Sequence, residues 1–146
     1  MQREANAVWK GGLKSGKGTV SSSSGAFNQL PYSFSTRFEN ERGTNPEELI
    51  AAAHAGCFSM ALSAQLEKSG FTADEIRTTA KVSLEQKDGG WAITRVDLDL
   101  DAQVPNIDQN KFTELANAAK TGCPVSKVLN AEIRLNAKLK QMAGKI

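Results

Sequence analysis

The first third of the chain alternates between larger and smaller side chains, a pattern typical of strands. The alternation is clearest in residues 31–38, where two sets of side chains point in opposite directions: Tyr32, Phe34, Thr36 and Phe38 against Ser33, Ser35 and Arg37. Weaker patterns near residues 5–10 and 17–24 predict two more strands, with glycine-rich turns between them. This part of the chain is therefore predicted to be a small sheet with surface turns.

A long helix is predicted over residues 46–69. Asn45 suits the N-cap and Pro46 the first helical position, and two glutamates follow at the positive end of the helix dipole. Gly70 is predicted to end the helix. The apolar residues lie almost all the way round it: Leu49, Ile50, Phe58, Met60, Leu62 and Leu66. A helix that is apolar on every side must be covered on every side, so we expect a buried core helix.

The rest of the chain predicts two strands, two helices and a last strand, over residues 76–84, 96–104, 108–120, 123–129 and 133–139. Asp88-Gly89-Gly90 is a strong hairpin turn between the two strands. Asp108 suits the cap of the first helix, and Gly122 is predicted to end it. Strands segregated from helices, with one long helix crossing them, predict the α+β fold class.

Length and charge bound the class of protein. The 146 residues predict a single domain over residues 1–146, large enough to need no disulfide or metal to hold it together. Lys plus Arg is 18 and Asp plus Glu is 16, which gives a net charge of +2. This near balance, without a long basic run, argues against a nucleic acid partner.

The sequence also favours a cytoplasmic protein without a membrane partner. The N-terminus lacks the apolar core of a signal peptide, so we expect reduced thiols in the cytoplasm. Residues 49–66 carry no formal charge but include several polar side chains, His54 and Gln65 among them. We therefore predict that this helix is too polar to span a membrane.

Two cysteines, Cys57 and Cys123, are the main candidates for chemistry. Cys57 lies in the middle of the long helix, where an inert buried thiol is the ordinary interpretation. Cys123 lies between Gly122 and Pro124 at a predicted helix start, where backbone N–H groups favour a thiolate, although such a turn can also serve backbone shape alone. Two thiols in a reducing compartment raise the hypothesis of a reversible redox pair.

Other polar residues have simpler interpretations. His54 lies three residues before Cys57, on roughly the same helix face. His54, Cys57 and Cys123 do not supply the four ligands and paired spacing of a structural zinc site, so we predict no metal and no cofactor. His54 is expected to be a satisfied buried polar group or to line a pocket. Taken alone, Arg37 suits a solvated strand and Glu47 a helix cap.

Three segments of the sequence resemble the OsmC/Ohr family, named for osmotically inducible protein C and organic hydroperoxide resistance protein: Gly43–Leu49, Ala52–Met60 and Thr121–Ser126. The likeness extends over about residues 5–140. The OsmC branch is favoured by four further features: His54, Met60, the segment at residues 16–20 and the segment at residues 34–38.

The resemblance implies an OsmC-like fold, with antiparallel sheets wrapped around a long central helix in an intertwined homodimer with two active sites at the interface. It also implies a thiol peroxidase in oxidative and osmotic stress defence. Cys57 would attack an organic hydroperoxide, or hydrogen peroxide less well, and Cys123 would close a disulfide with it. The family's arginine and glutamate correspond to Arg37 and Glu47. The implied reductant is a dithiol, such as one of the lipoyl type.

Physical chemistry adds two expectations to this resemblance. A mid-helix thiol gains little from the helix dipole and burial raises its pKa, so Cys57 needs a nearby cation, for which Arg37 held by Glu47 is the candidate. Glu47 and Cys57 would lie roughly 15 Å apart along a continuous helix. Either the helix breaks, or the Arg37 and Glu47 pair serves the partner chain's cysteine, which we favour.

Apolar residues near Cys57 would favour alkyl hydroperoxides by burying the alkyl group, and Phe58, Met60 and Leu62 are the candidates. Two other functions remain open from the sequence. One is a binding module that holds an apolar ligand, with the cysteines merely packed. The other is a redox sensor that signals through its disulfide without turning over substrate.

Overall fold

The computed structural model describes residues 1–140, which form two compact units, residues 1–49 and the residues from 50 onward. The first unit contains β1 (Ala5–Lys10), β2 (Lys17–Ser22), β3 (Leu30–Tyr32) and α1 (Phe34–Phe38). Helix α2 (Pro46–Lys68) begins in the first unit and continues into the second. The second unit adds β4 (Glu75–Lys87), β5 (Gly90–Gln103), α3 (Gln109–Gly122), α4 (Pro124–Val128) and β6 (Glu132–Leu139).

The predicted α+β fold class is confirmed. The single domain predicted over residues 1–146 stays a prediction, and residues 141–146 lie outside the described residues.

In the first unit, β1, β2 and β3 form an antiparallel sheet in that order. The strands predicted near residues 5–10 and 17–24 are confirmed, but the strand predicted over residues 31–38 is wrong after Tyr32. Ser33 instead caps α1 in a capping box with Thr36, in which each side chain accepts a hydrogen bond from the other residue's backbone N–H.

The alternating pattern gave a wrong prediction of a strand, because residues that alternate with a period of two also recur every four residues. Phe34 and Phe38 lie one helical turn apart on α1, with their ring centroids separated by 5.0 Å. Over so short a stretch, the strand pattern and the helical i, i+4 pair are the same pattern. The Ser-x-x-Thr spacing at Ser33 was the local signal that distinguishes them.

Helix α2 begins and ends where its capping residues predict. The Asn45 side chain accepts a hydrogen bond from the Glu48 N–H at 2.8 Å, which confirms Asn45 as the N-cap. The Glu48 carboxylate accepts a hydrogen bond from the Thr44 hydroxyl at 2.9 Å. After Lys68 the chain leaves the helix at Gly70, whose φ of +87° is a conformation that glycine adopts without strain.

The second unit has a sheet in the order β4-β5-β6. The hairpin between β4 and β5 is confirmed, and Asp88 and Gly89 both have positive φ in its two-residue turn. However, β6 pairs parallel with β5, so the expectation of purely antiparallel sheets is wrong here. The physical reason is the crossover: α3 and α4 carry the chain back to the end of the sheet at which β5 begins.

The core of the second unit lies between α2, β5 and α3. Phe58, Leu62 and Leu66 lie four residues apart on one stripe of α2 and are fully buried. They join alternate residues of β5 and the apolar face of α3 in one cluster: Val96, Leu98, Leu100, Ala102, Phe112, Leu115, Ala116 and Ala119. A Ser59 to Thr78 hydroxyl hydrogen bond of 2.8 Å also joins α2 to β4.

Most of α2 is nevertheless uncovered by the chain. Only 22% of its most apolar stretch is buried, so the predicted core helix is buried on one stripe alone. Its length and mean hydropathy of 1.4 reach the range of membrane-spanning helices, so its polar residues do not by themselves exclude a span. Against a span, α2 packs along an open sheet, whose unpaired edges could not enter hydrocarbon with it.

The β4–β5 turn supplies a matched pair of stability tests. Gly89→Ala places a side chain at φ +84° and should lower the free energy of unfolding by about 1–2 kcal/mol. The side chain added by Gly90→Ala would meet no atom within 4 Å, and Gly90 does not have a positive φ. This substitution should therefore change the free energy of unfolding by less than about 0.5 kcal/mol. Urea denaturation of the two variants measures both, and equal losses would contradict this account of the turn.

Candidate active site

The structure brings the sulfurs of Cys57 and Cys123 together. Cys57 lies in the middle of α2 and is partly exposed, whereas Cys123 lies between α3 and α4 and is fully buried. Both are free thiols, and their Sγ atoms are 2.9 Å apart, within hydrogen-bonding distance. The two cysteines are 66 positions apart along the chain, and the packing of α2 against the end of α3 brings them together.

The backbone around Cys123 fixes the position of its sulfur. Helix α3 extends through Gly122, two residues beyond its predicted end at residue 120, and the Cys123 N–H closes it by donating to Ala119 O at 2.9 Å. Pro124 then opens α4, where its missing N–H costs nothing. Cys123 therefore lies at the end of one helix and the start of another, and its φ and ψ are held from both sides.

The environment of Cys123 favours its thiolate. Burial by itself would raise the pKa of Cys123, but hydrogen bonds from the Cys57 thiol, from the N–H and hydroxyl of Ser126, and from the Val125 N–H lower it below its ordinary value. The expectation that backbone N–H groups favour a Cys123 thiolate is in line with the direction of this pKa shift and stays a prediction.

The environment of Cys57 disfavours its thiolate. Burial raises the pKa of Cys57, and the hydrogen bond to Cys123 and the charge on that sulfur raise it further, while the Val125 N–H only partly opposes them. Each cause acts within the second unit. The surroundings of the partly exposed sulfur therefore disfavour its thiolate, whereas those of the buried sulfur favour it.

His54 lies one turn before Cys57 on α2 and is fully buried. Its Nε2 lies 2.7 Å from the hydroxyl oxygen of Ser126, and its Nδ1 is buried without a hydrogen-bond partner among residues 1–140. His54 was expected to be a buried polar group with its hydrogen bonds made, but among residues 1–140 only one of its two ring nitrogens has a partner. Burial lowers the pKa of His54, so the imidazole is neutral.

Sequence reasoning missed Ser126. Its hydroxyl contacts His54, and its N–H and hydroxyl are among the groups that lower the pKa of Cys123. The signal was available, since a serine three residues after a helix N-cap presents its N–H and side chain toward that cap. The partner on α2 could not be read from the sequence, because 72 residues separate His54 from Ser126.

Arg37 and Glu47 form a bidentate ion pair within the first unit. Arg37 Nε and Nη2 each donate to a Glu47 carboxylate oxygen at 2.9 Å. The Glu47 side chain is only 11% exposed and the guanidinium lies 5.1 Å from the Phe38 ring. This geometry fixes the plane of the guanidinium. Arg37 lies on helix α1, not on the strand predicted for it.

The two pairs of predicted residues thus belong to different units, Arg37 with Glu47 in the first and Cys57 with Cys123 in the second. The expectation that Phe58 and Leu62 line a substrate pocket is wrong, because both are fully buried in the core. Met60 is 77% exposed. Among residues 1–140, no group of three or more His, Cys, Asp or Glu side chains could hold a metal ion.

A cavity of about 250 Å³ lies beside Arg37 in the first unit. Its walls are mainly aromatic and aliphatic: Trp9, Leu13, Tyr32, Phe34 and Phe38, with Ser33 and Arg37 as the polar members. Such a cavity combines an apolar volume with one fixed cation.

Comparison with known proteins gives a consistent result. The family model described as OsmC-like protein matches residues 38–138. The chain is 56% identical over 140 residues to a protein named peroxiredoxin OsmC from Escherichia coli (strain K12), which covers 96% of this chain and 98% of that protein. It is 33% identical over 103 residues to the organic hydroperoxide resistance protein OhrB of Bacillus subtilis (strain 168), covering 70% and 74%.

The fold also resembles a solved structure. The crystal structure of OhrB of Bacillus subtilis superposes with a TM-score of 0.67 and 29% identity, and the match covers 94% of this chain and 98% of that one. The similarity therefore includes the sheets and helices of both units as well as the sequence.

The buried imidazole predicts a pH dependence of stability. Below pH 6.5 the unfolded chain binds a proton that the folded chain, with its lowered His54 pKa, does not bind. The free energy of unfolding should therefore fall as the pH drops from 7 to 5, by at most about 1.4 kcal/mol per pH unit from this group.

The chain contains one histidine, so His54→Gln isolates the effect. Urea denaturation at fixed protein concentration should show a smaller loss of stability in the variant than in the wild-type chain between these pH values. An equal loss in both would mean that His54 titrates normally in the folded chain.

Proposed function

We propose that this chain, which belongs to the OsmC family, is a thiol-dependent peroxidase. It would reduce organic hydroperoxides to alcohols. The names of its relatives support a peroxidase-type role. The observation that carries the proposal is the pair of free thiols 2.9 Å apart, one partly exposed and one buried. A peroxide can reach Cys57, and the Cys123 sulfur lies beside the Cys57 sulfur.

The proposed cycle has three steps. The Cys57 thiolate attacks the terminal oxygen of the hydroperoxide; the O–O bond breaks, the alkoxide takes a proton from water and leaves as the alcohol, and Cys57 becomes a sulfenic acid. The Cys123 thiolate then attacks the Cys57 sulfur; the S–O bond breaks, and the hydroxyl takes a proton from solvent and leaves as water as the disulfide forms. A dithiol reduces the disulfide and is itself oxidised to a disulfide.

The second step is supported by the electrostatics of the buried thiol. The attacking group in disulfide formation is a thiolate. Hydrogen bonds from Ser126 and Val125 favour that form of Cys123. Its distance to Cys57 requires no rearrangement larger than the formation of the bond itself.

The first step needs a cation that the second unit does not supply. The Cys57 pKa is raised by its own surroundings, so a nearby positive charge must offset them. Arg37 is the proposed cation, because the Glu47 carboxylate orients its guanidinium and leaves other N–H donors free for a thiolate and a departing oxygen. Helix α2 is continuous from Pro46 to Lys68, which removes the alternative in which a broken helix brings Glu47 to Cys57.

A homodimer is therefore part of the proposal, with Arg37 and Glu47 acting on Cys57 of the other chain. The uncovered face of α2 supports a second copy: Ala53, Gly56, Met60 and Ala64 are all exposed. The first unit supports it too, since residues 1–49 bury no hydrophobic side chain and expose Trp9 and Leu13. A unit without an apolar core needs cover from another protein surface.

The proposed substrates are alkyl or aryl hydroperoxides in preference to hydrogen peroxide. The apolar cavity beside Arg37 could bury the organic group, while the guanidinium binds the peroxide oxygens. We propose a dithiol reductant, such as one of the lipoyl type, because each turnover leaves one disulfide to be opened. Such a cycle requires a reducing compartment, so the cytoplasm remains the predicted location, with a role in oxidative and osmotic stress defence.

Single-cysteine variants test the assignment of the two thiols. Cys57→Ser should consume no organic hydroperoxide above background, because the attacking sulfur is lost. Cys123→Ser should consume about one equivalent per chain and then stop at a sulfenic acid that dimedone traps. Both are measured by peroxide consumption and by the mass of the intact chain.

Three other results would contradict the proposal. Multiple turnovers by Cys57→Ser would assign the attack to Cys123. If each wild-type chain is oxidised once to the disulfide and does not turn over peroxide when a dithiol is present, the result would indicate a redox sensor. No oxidation of either thiol by any hydroperoxide would indicate a binding module.

Mixed dimers test whether Arg37 acts across the interface. Arg37→Ala alone should reduce peroxide turnover roughly 10²-fold, and Cys57→Ser alone should abolish it. Co-refolding equal amounts of the two should restore about a quarter of wild-type activity, because half of randomly mixed dimers are heterodimers with one complete site each.

The matched control is a mixture of Arg37→Ala with Glu47→Gln. In those mixed dimers every site lacks either the arginine or its glutamate, so activity should not recover. If Arg37→Ala and Cys57→Ser fail to complement each other although both fold and associate, the pair acts within its own chain.

A further inference from the structure

His54 and Ser126 connect α2 to the buried thiol by a route separate from the contact between the sulfurs. Ser126 lies on α4, three residues after Cys123, and its hydroxyl oxygen is 2.7 Å from His54 Nε2. Cys123 is the N-cap of α4 and Ser126 is the third residue of that helix, and the N–H and hydroxyl of Ser126 lower the pKa of the Cys123 thiol. A serine hydroxyl has one proton, so it can donate to only one of these neighbours.

The burial of His54 decides the direction of that proton. Nδ1 is enclosed and has no partner in residues 1–140, so a proton there would leave a buried N–H donor unpaired. The proton is therefore on Nε2, and Nε2–H donates to the Ser126 oxygen. The serine hydrogen is then free to point at Cys123. An imidazolium would also require a proton on Nδ1, so His54 acts as a donor and not as a base.

We propose that His54 is a positioning residue, whose Nε2–H holds the Ser126 hydroxyl so that its hydrogen points at the Cys123 sulfur and stabilises the negative charge there. The titratable group that faces Cys123 is Cys57, on α2, and the one that faces Ser126 is His54. The His54–Ser126 contact and the place of Ser126 in the first turn of α4 support this positioning role, whereas its part in disulfide closure rests on the proposed peroxidase function.

Thiolate titration tests the proposal without any peroxide. In a Cys57→Ala background Cys123 is the single thiol, since the chain has two cysteines, and its ionisation is followed by ultraviolet thiolate absorbance against pH. Ser126→Ala and His54→Leu should both move the ionisation midpoint to higher pH. At a pH below that midpoint the thiolate fraction should fall about tenfold, the effect of losing one hydrogen bond to a charged group.

Two controls separate this role from a general loss of packing. His54→Gln keeps an N–H donor near the position of Nε2 and should leave the midpoint close to that of the background. Ser59→Ala removes a hydroxyl of α2 that is bonded to Thr78 and should not move it. If His54→Leu does not fold, Ser126→Ala and His54→Gln still decide, because Ser126 is only partly buried. Identical titration curves for Ser126→Ala and the background would overturn the proposal.

A second measurement distinguishes this inference from the peroxidase proposal. With both cysteines present and one equivalent of hydroperoxide added, disulfide closure should be about tenfold slower in Ser126→Ala than in the wild-type chain. If the wild-type chain consumes no peroxide but the titration shifts as expected, the relay stands and the peroxidase proposal fails. If turnover is normal but the titration curves do not shift, the peroxidase proposal stands and the relay fails.

Discussion

The contact between the sulfurs of Cys57 and Cys123 is the interaction on which the rest of the site depends. At 2.9 Å the two atoms share one environment, yet α2 leaves Cys57 partly exposed while the junction of α3 and α4 encloses Cys123. This asymmetry separates a thiol that can meet a reagent from one that can meet only the other sulfur. The core of Phe58, Leu62 and β5 holds α2 in the register that makes the contact.

Electrostatics and packing each support the proposed second copy of the chain. The donors around the sulfurs stabilise charge on Cys123, and the partly exposed Cys57 has no comparable support in its unit. The Arg37 and Glu47 pair supplies an oriented cation in the other unit. Most of α2 is at most partly buried, and no hydrophobic side chain of residues 1–49 is fully buried. A second copy would meet both needs, which is why the proposed mechanism and the proposed dimer form one hypothesis.

Local signals predicted local structure well. The caps at Asn45 and Asp108 and the Asp88-Gly89 turn all form as expected, because each depends on a few neighbouring residues. The pattern failed where it was ambiguous, as at Phe34 and Phe38, whose spacing suits both a strand and a helix. It also failed for β6, because its alternation predicts a strand but carries no information on the direction of its partner.

The sequence by itself predicted most of the elements and the α+β class, because caps and periodicity are local properties of the chain. Its resemblance to the OsmC/Ohr family supplied the four residues proposed for catalysis. Only the tertiary structure decided that Cys57 and Cys123 touch, that Arg37 is fixed by both oxygens of Glu47, and that His54 meets Ser126. Likewise, only packing could show which stripe of an evenly apolar helix is covered, since all of its faces look alike in the sequence. Contacts between residues far apart in the chain depend on how the elements pack, and no single segment encodes that.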